Sequence, residues 1–254
     1  MSVENQSGSL QTTIAGAVAT VQFGHPASNS FPRLLLDKLT AEITYLSTHQ
    51  EVSVVVLQSE GDKVFCAGAS FDELLAVENE EQGIHFFSGF ALLLHAMRSC
   101  SKLIVGRVQG KAVGGGVGII AACDYVLATP ESAVKLSELA IGIGPFVIEP
   151  AVSRKIGKTA MTEMTLAAHE WKPAEWAFQK GLFSAIYSKE NLDAEVENFV
   201  QKLSSYNPEA LFEMKKIIWD GTENWDSLLL ERAKITGKLV LSDFTKTALL
   251  QFKK

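Results

Sequence analysis

Three consecutive glycines, Gly114-Gly115-Gly116, stand between an apolar strand-like run and an apolar helix-like run that continues through Val117, Gly118, Ile119 and Ile120. A junction of this kind constrains the chain strongly. Side chains are missing exactly where a strand turns into a helix, so a ligand or another backbone can press on bare N–H groups. Nucleotide phosphate is a poor guest, because no Lys-Ser/Thr pair follows the glycines and the spacing never completes G-x-G-x-x-G. Two readings stay open at this point. One is an anionic oxygen held by backbone amides, and the other is close helix packing through small residues.

A second junction of the same type lies upstream. Residues 52–57 (Val-Ser-Val-Val-Val-Leu) read as a buried strand, and after Lys63 comes Val64-Phe65-Cys66-Ala67-Gly68-Ala69-Ser70-Phe71-Asp72. Two amide-bearing turns can converge on one carbonyl oxygen, which is what acyl-transfer and enolate chemistry require. A serine nucleophile at Ser70 fits worse, since the last position of G-x-S-x-G is Asp72 here.

In this order and spacing the motifs resemble the crotonase, or enoyl-CoA hydratase/isomerase, superfamily. They are Phe65-Cys66-Ala67-Gly68-Ala69, then the glycine triplet some forty-odd residues later, then Ala121-Ala122-Cys123-Asp124, with His25-Pro26-Ala27-Ser28-Asn29 near the start. The resemblance implies an α/β fold with a ββα spiral core over residues 1–195 and a C-terminal helical region over 196–254 that packs on neighbours in a homotrimer or hexamer. It also implies an acyl-CoA thioester substrate with no cofactor beyond the CoA it carries. The oxyanion donors would be the N–H groups of Ala69 and Gly115, with Ala67, Gly68, Gly114 and Phe146 beside the substrate.

Two-glutamate members of that superfamily place one acid on the helix after the glycine turn and another about twenty residues later. The first position is Gly118 here, so that acid is missing; the second is Glu138, within Val134-Lys135-Leu136-Ser137-Glu138-Leu139-Ala140-Ile141-Gly142. Apolar neighbours around Glu138 predict a raised pKa suited to proton exchange near neutrality. Gly118 is expected to leave room for a water that Glu138 activates, giving reversible hydration of a 2-enoyl-CoA. Without that water, the same glutamate would shuttle a proton in a 3-enoyl to 2-enoyl isomerase. The bulky segment Pro145-Phe146-Val147-Ile148-Glu149-Pro150, together with the single glutamate, resembles the bacterial 3-methylglutaconyl-CoA hydratase branch. A catalytically silent binding or assembly protein is the alternative of another class, kept open by the missing acid.

Other candidates are weaker. Lys63 is the nearby cation for CoA phosphates, and Asp72 stands where some relatives carry a CoA-binding lysine. Glu149 reads as a first-turn glutamate favouring the helix dipole, and His85 and His95 read as core or surface residues. Cys66, Cys100 and Cys123 form no C-x-x-C pair, which argues against a metal site or a disulfide framework. The net charge of −6 without a Lys/Arg cluster speaks against nucleic acid. The longest apolar or glycine run, residues 112–123, is too short to span a membrane. The polar lead over residues 1–11 shows no basic start or apolar centre, so a cytoplasmic location is expected.

Periodicity fills in the rest. Residues 11–23 read as a hairpin around Ala15-Gly16, 31–47 as a helix, 83–97 as another, and 103–108 and 125–128 as strands. After about Ile156 only helices are expected, over 159–168, 173–180, 191–203, from Asn207-Pro208 to near Trp219, and 225–240.

Overall fold

The computed structural model describes residues 7–252; the first six residues of the polar lead and residues 253–254 lie outside them. The chain opens with the hairpin, β1 (Ser9–Ala15) and β2 (Val18–Gly24), paired antiparallel from Ser9↔Gly24 to Ala15↔Val18. Helix α1 (Arg33–Thr48) then crosses over to β3 (Val54–Ser59), which lies parallel to β2. After β4 (Val64–Cys66), α2 (Phe71–Leu75) and α3 (Glu80–Ser99), the chain enters β5 (Leu103–Val108) and β6 (Lys111–Val113). Helix α4 (Gly115–Ala122) leads to β7 (Tyr125–Ala128) and β8 (Ala133–Lys135). The second half holds α5 (Glu149–Leu166), β9 (Lys172–Pro173), α6 (Ala174–Gln179) and β10 (Ala185–Ile186). Helices α7 (Leu192–Ser204), α8 (Pro208–Ile218), α9 (Trp225–Leu239) and α10 (Asp243–Phe252) complete it.

Two sheets result. The larger has the order β1-β2-β3-β5-β7-β10, parallel from β2 onward, and the smaller has the order β4-β6-β8-β9. Strand β3 explains why the larger sheet is covered on both faces. Val55 and Leu57 enter the main core with Leu35, Leu39 and Ile43 of α1, whereas Val54 and Val56 enter a second cluster with Leu192, Val196 and Val200 of α7. An uninterrupted apolar run is what a parallel strand sandwiched between helices requires. Helix α7 runs through the boundary expected at 195/196, so that boundary falls inside a packed helix.

Strands do not stop at Ile156: β9 closes the smaller sheet against β8, and β10 extends the larger one beside β7. Each has two residues, too short to leave a period in the sequence. Helix α5 begins at Glu149 with Pro150 in its first turn and is broken at Gly157, whose φ is +75°. Asn207 caps α8 by accepting from the Glu209 N–H at 2.9 Å, with Pro208 at the first helical position.

The C-terminal helices pack on their own chain. Lys215 of α8 is buried, and its Nζ donates to the carbonyls of Met97 (3.0 Å) and Lys102 (2.8 Å) and to Asp124 Oδ2 (3.0 Å). Asp124 also accepts from the Ile104 N–H and from Trp219 Nε1, both at 2.7 Å. Helix α9 lies along α3, and α10 packs on α2 and on the turn that follows β8.

Candidate active site

Each of three strand ends in the smaller sheet delivers one part of the site. At the end of β4, Gly68 holds φ +88°, a conformation that an L side chain rarely adopts. Phe31 pins this turn from both sides, its N–H donating to Gly68 O at 2.8 Å and its carbonyl accepting from the Ser70 N–H at 2.9 Å. Between those two bonds the Ala69 N–H is left without an acceptor among the described residues. Ser70 then caps α2, accepting from the Glu73 N–H at 3.4 Å.

At the end of β6, Gly114 (φ +53°) turns the chain into α4 while its N–H donates to Lys135 O at 2.9 Å. Gly115 is the first residue of α4, so its N–H has no intrahelical acceptor and lies at the positive end of the helix dipole. The two turns touch. A methyl placed on Gly68 would lie 2.9 Å from Val113 O and 3.7 Å from the Gly115 nitrogen. Phe90 of α3 covers Gly115 so closely that a methyl there would come within 2.7 Å of its Cζ.

After β8 the chain forms a single 3-10 turn, Glu138–Ile141, and the first residue of that turn is the acid. The Glu138 carboxylate lies over the glycine turn: a methyl on Gly114 would be 2.8 Å from Oε1. Burial pushes the carboxyl up to about 7, opposed by the backbone N–H groups of Glu138 and Ser137. The residue as a whole keeps some solvent exposure, but Oε2 is enclosed and has no hydrogen-bond partner among the described residues. A proton acceptor of near-neutral pKa thus stands beside two amides whose hydrogens are unspent. That set can take a proton from carbon while stabilising the oxygen that gains charge.

These groups open on one apolar pocket. Ala67, Gly68, Ala69, Gly114, Gly115, Glu138 and Phe146, each singled out in the sequence, all line it. Ile148 of the bulky 145–150 segment joins them, and so do the aromatic wall of Phe87 and Phe90 and Thr236 of α9, which had not been marked in the sequence. For the two phenylalanines a signal existed, in an aromatic face on a helix expected near the pocket. For Thr236 none did, because its position depends on packing between distant segments.

Two of the candidates lie outside this lining. Lys63 is exposed and does not line the pocket; its carbonyl accepts from the Lys111 N–H at 3.2 Å, binding β4 to β6. Gly118 does not line it either. The space expected to hold water is filled by Ile148, whose Cβ would be 2.6 Å from a methyl on Gly118. A β-branched side chain has replaced the solvent. Glu149 does not line the pocket, and its Oε1 accepts from Ser153 Oγ at 2.6 Å. His95 Nδ1 sits 2.8 Å from Asp226 Oδ1, outside the pocket, and His85 does not line the pocket either.

A family model described as enoyl-CoA hydratase/isomerase matches residues 13–246. The chain is 26% identical to the short-chain-enoyl-CoA hydratase of Clostridium acetobutylicum, over 93% of its own length and 91% of that protein's. It is 27% identical to the ethylmalonyl-CoA decarboxylase of Gallus gallus, spanning 83% of this chain and 70% of that one. Against the enoyl-CoA hydratase domain-containing protein 3, mitochondrial, of Mus musculus, it is 26% identical and spans 58% of that protein's length. Among solved structures, an enoyl-CoA hydratase from Bacillus halodurans superposes with TM-score 0.88 at 20% identity, covering 95% of this chain and 99% of that one. An enoyl-CoA hydratase from Mycobacterium avium subsp. paratuberculosis superposes with TM-score 0.85 at 26% identity, covering 95% and 97%. The α/β spiral implied by the sequence motifs is the fold these structures share.

Proposed function

The chain belongs to the enoyl-CoA hydratase/isomerase family, and from that premise we propose that it is an enzyme moving a proton along an enoyl-CoA thioester, converting a 3-enoyl to a 2-enoyl form. The observation that carries this reading is Ile148. Hydration with a single glutamate needs a held water, and the space where one was expected beside Gly118 is occupied by a hydrocarbon side chain. Proton transfer needs no water. Among the described residues lining the pocket, Glu138 is the one acid or base.

In this mechanism the thioester oxygen accepts from the N–H groups of Ala69 and Gly115. The Glu138 carboxylate removes a proton from the α-carbon, and the C–H electrons pass into a dienolate whose oxygen carries the charge. Protonated Glu138 then returns the proton to the γ-carbon, the double bond settles between α- and β-carbons, and the carbonyl re-forms. A carboxyl with pKa of about 7 serves both halves: its carboxylate is a stronger base than that of an exposed glutamate, and once protonated it holds the proton near neutral pH long enough to return it. CoA is part of the substrate, and no further cofactor enters. Assembly as a homotrimer or hexamer belongs to the same proposal, supported by exposed apolar side chains such as Leu139 and Leu166 and tested by light scattering.

The test is incubation with 3-enoyl, 2-enoyl and 3-methylglutaconyl thioesters in heavy-oxygen water. Interconversion of the 3- and 2-enoyl forms without label uptake is the expected result. Label entering a 3-hydroxyacyl product as fast as the double bond moves would instead assign hydration and return the 3-methylglutaconyl branch to the front.

A further inference from the structure

The crossing of α3 and α9 gives the pocket a far wall. The two helices meet backbone to backbone at glycines: a methyl on Gly83 would lie 2.5 Å from Gly237 O, and one on Gly237 would lie 2.6 Å from the Ile84 nitrogen. This approach carries the preceding residue of α9, Thr236, into the pocket lining, where it is buried. Phe90, which covers the donor Gly115, is seven residues along α3 from Gly83. At 1.5 Å per residue, the crossing stands about 10 Å down α3 from the oxyanion site. An acyl chain anchored at Gly115 and running past Phe90 and Phe87 therefore heads toward Thr236.

Charge in the pocket is one-sided. Among the described residues no lysine, arginine or histidine lines it, and Glu138 is the one ionisable group that does. The Thr236 hydroxyl already donates to the Arg232 carbonyl one turn back, at 3.2 Å. A terminal carboxylate arriving at this wall would lose its hydration and meet no cationic partner.

We propose that Thr236 sets where the acyl chain stops, and that the acyl groups accepted carry no charge at their far end. This specificity rests on the acyl-thioester reading above and not on which reaction follows. It is tested by calorimetric titration of the full-length protein with saturated straight-chain acyl-CoAs from butanoyl to dodecanoyl, and with glutaryl-CoA, none of which can turn over as an enoyl substrate.

Affinity should rise about fourfold for each methylene that finds room and then stop rising at a limiting length. Thr236→Ala should move that limit to a longer chain and Thr236→Leu to a shorter one. Glutaryl-CoA should bind roughly 100-fold or more weakly than pentanoyl-CoA, its uncharged match in length. An unchanged limit in Thr236→Ala, with circular dichroism showing the variant folded, overturns the role of Thr236 even if Thr236→Leu does not fold. Equal affinity for glutaryl- and pentanoyl-CoA overturns the charge selection. If the wild-type protein binds none of these thioesters, the acyl-thioester reading itself fails and this proposal with it. Binding without isomerisation leaves the proposal standing and overturns only the reaction assigned.

Discussion

Ile148 occupies the place a side chain at position 118 would need: the Cβ of Ile148 lies 2.6 Å from where a Gly118 methyl would be. The two residues are a matched pair, one lacking a side chain and the other filling the gap. Gly118→Ala alone should destabilise the protein by ~1–3 kcal/mol through overpacking, read as a lower urea midpoint at constant m-value. In an Ile148→Ala background the same change should cost much less. Equal costs in the two backgrounds would mean that the residues are not coupled. Ile148→Ala by itself should also admit water, so its label uptake from heavy-oxygen water should exceed that of the wild type.

Glu138→Gln keeps the shape of the side chain and removes its proton exchange. Turnover should fall about 100-fold or more, while affinity for a saturated acyl-CoA stays within a few-fold of wild type. A variant retaining near-normal kcat would exclude Glu138 from the chemistry.

The same carboxyl makes stability depend on pH. Its folded pKa of about 7 lies above the ordinary glutamate value of 4.5, so between those limits the native state binds more protons than the unfolded one. Stability should therefore decline as pH rises from about 4.5 to about 7, opposite to the usual behaviour of a salt-bridged carboxylate. Urea titrations at pH 5 and pH 8 should show a larger loss in the wild type than in Glu138→Gln. The catalytic rate should move the other way, rising with pH through about 7 as the base ionises. A flat rate across that range would overturn the assignment of Glu138 as the base.

Phe90 stands so close to Gly115 that any side chain there must displace it, so the donor is best tested with the ring already reduced. In a Phe90→Leu background, Gly115→Ala keeps the N–H and Gly115→Pro removes it, proline being compatible with the first helical position. The proline variant should turn over more slowly than the alanine variant by a factor equivalent to roughly 3 kcal/mol. Matching rates in two folded variants would remove Gly115 as an oxyanion donor.

Lys215 and Asp124 are both buried and paired, and the lysine has two further carbonyl partners. Lys215→Met should cost about 3–5 kcal/mol by leaving the carboxylate without its counter-charge, measured by urea unfolding. Acyl-CoA affinity at temperatures where the variant is folded should not change.

Legibility in the sequence followed locality. The hairpin around Ala15-Gly16, the cap at Asn207-Pro208 and the two glycine turns are decided by neighbouring residues, and each appears where the pattern puts it. Strands β9 and β10 are decided by the strands they meet, and two residues cannot show alternation. Helix α10 follows α9 after only a short break, so periodicity gave no reason to add it. Gly118 illustrates the same limit within the site. A missing side chain is visible in a sequence, but what enters the gap is not, and Ile148 comes from thirty residues downstream.

The crossing of α3 and α9 also orders events during synthesis. Glu138 leaves the ribosome almost 100 residues ahead of Thr236, an interval on the order of 5–20 seconds at translation rates of roughly 5–20 residues per second. Throughout that interval Phe86, Phe87 and Phe90 on α3 have no α9 to cover them. The wall of the pocket is therefore completed only when the last fifth of the chain has been made, with the approach of Gly237 to Gly83 as the contact that closes it.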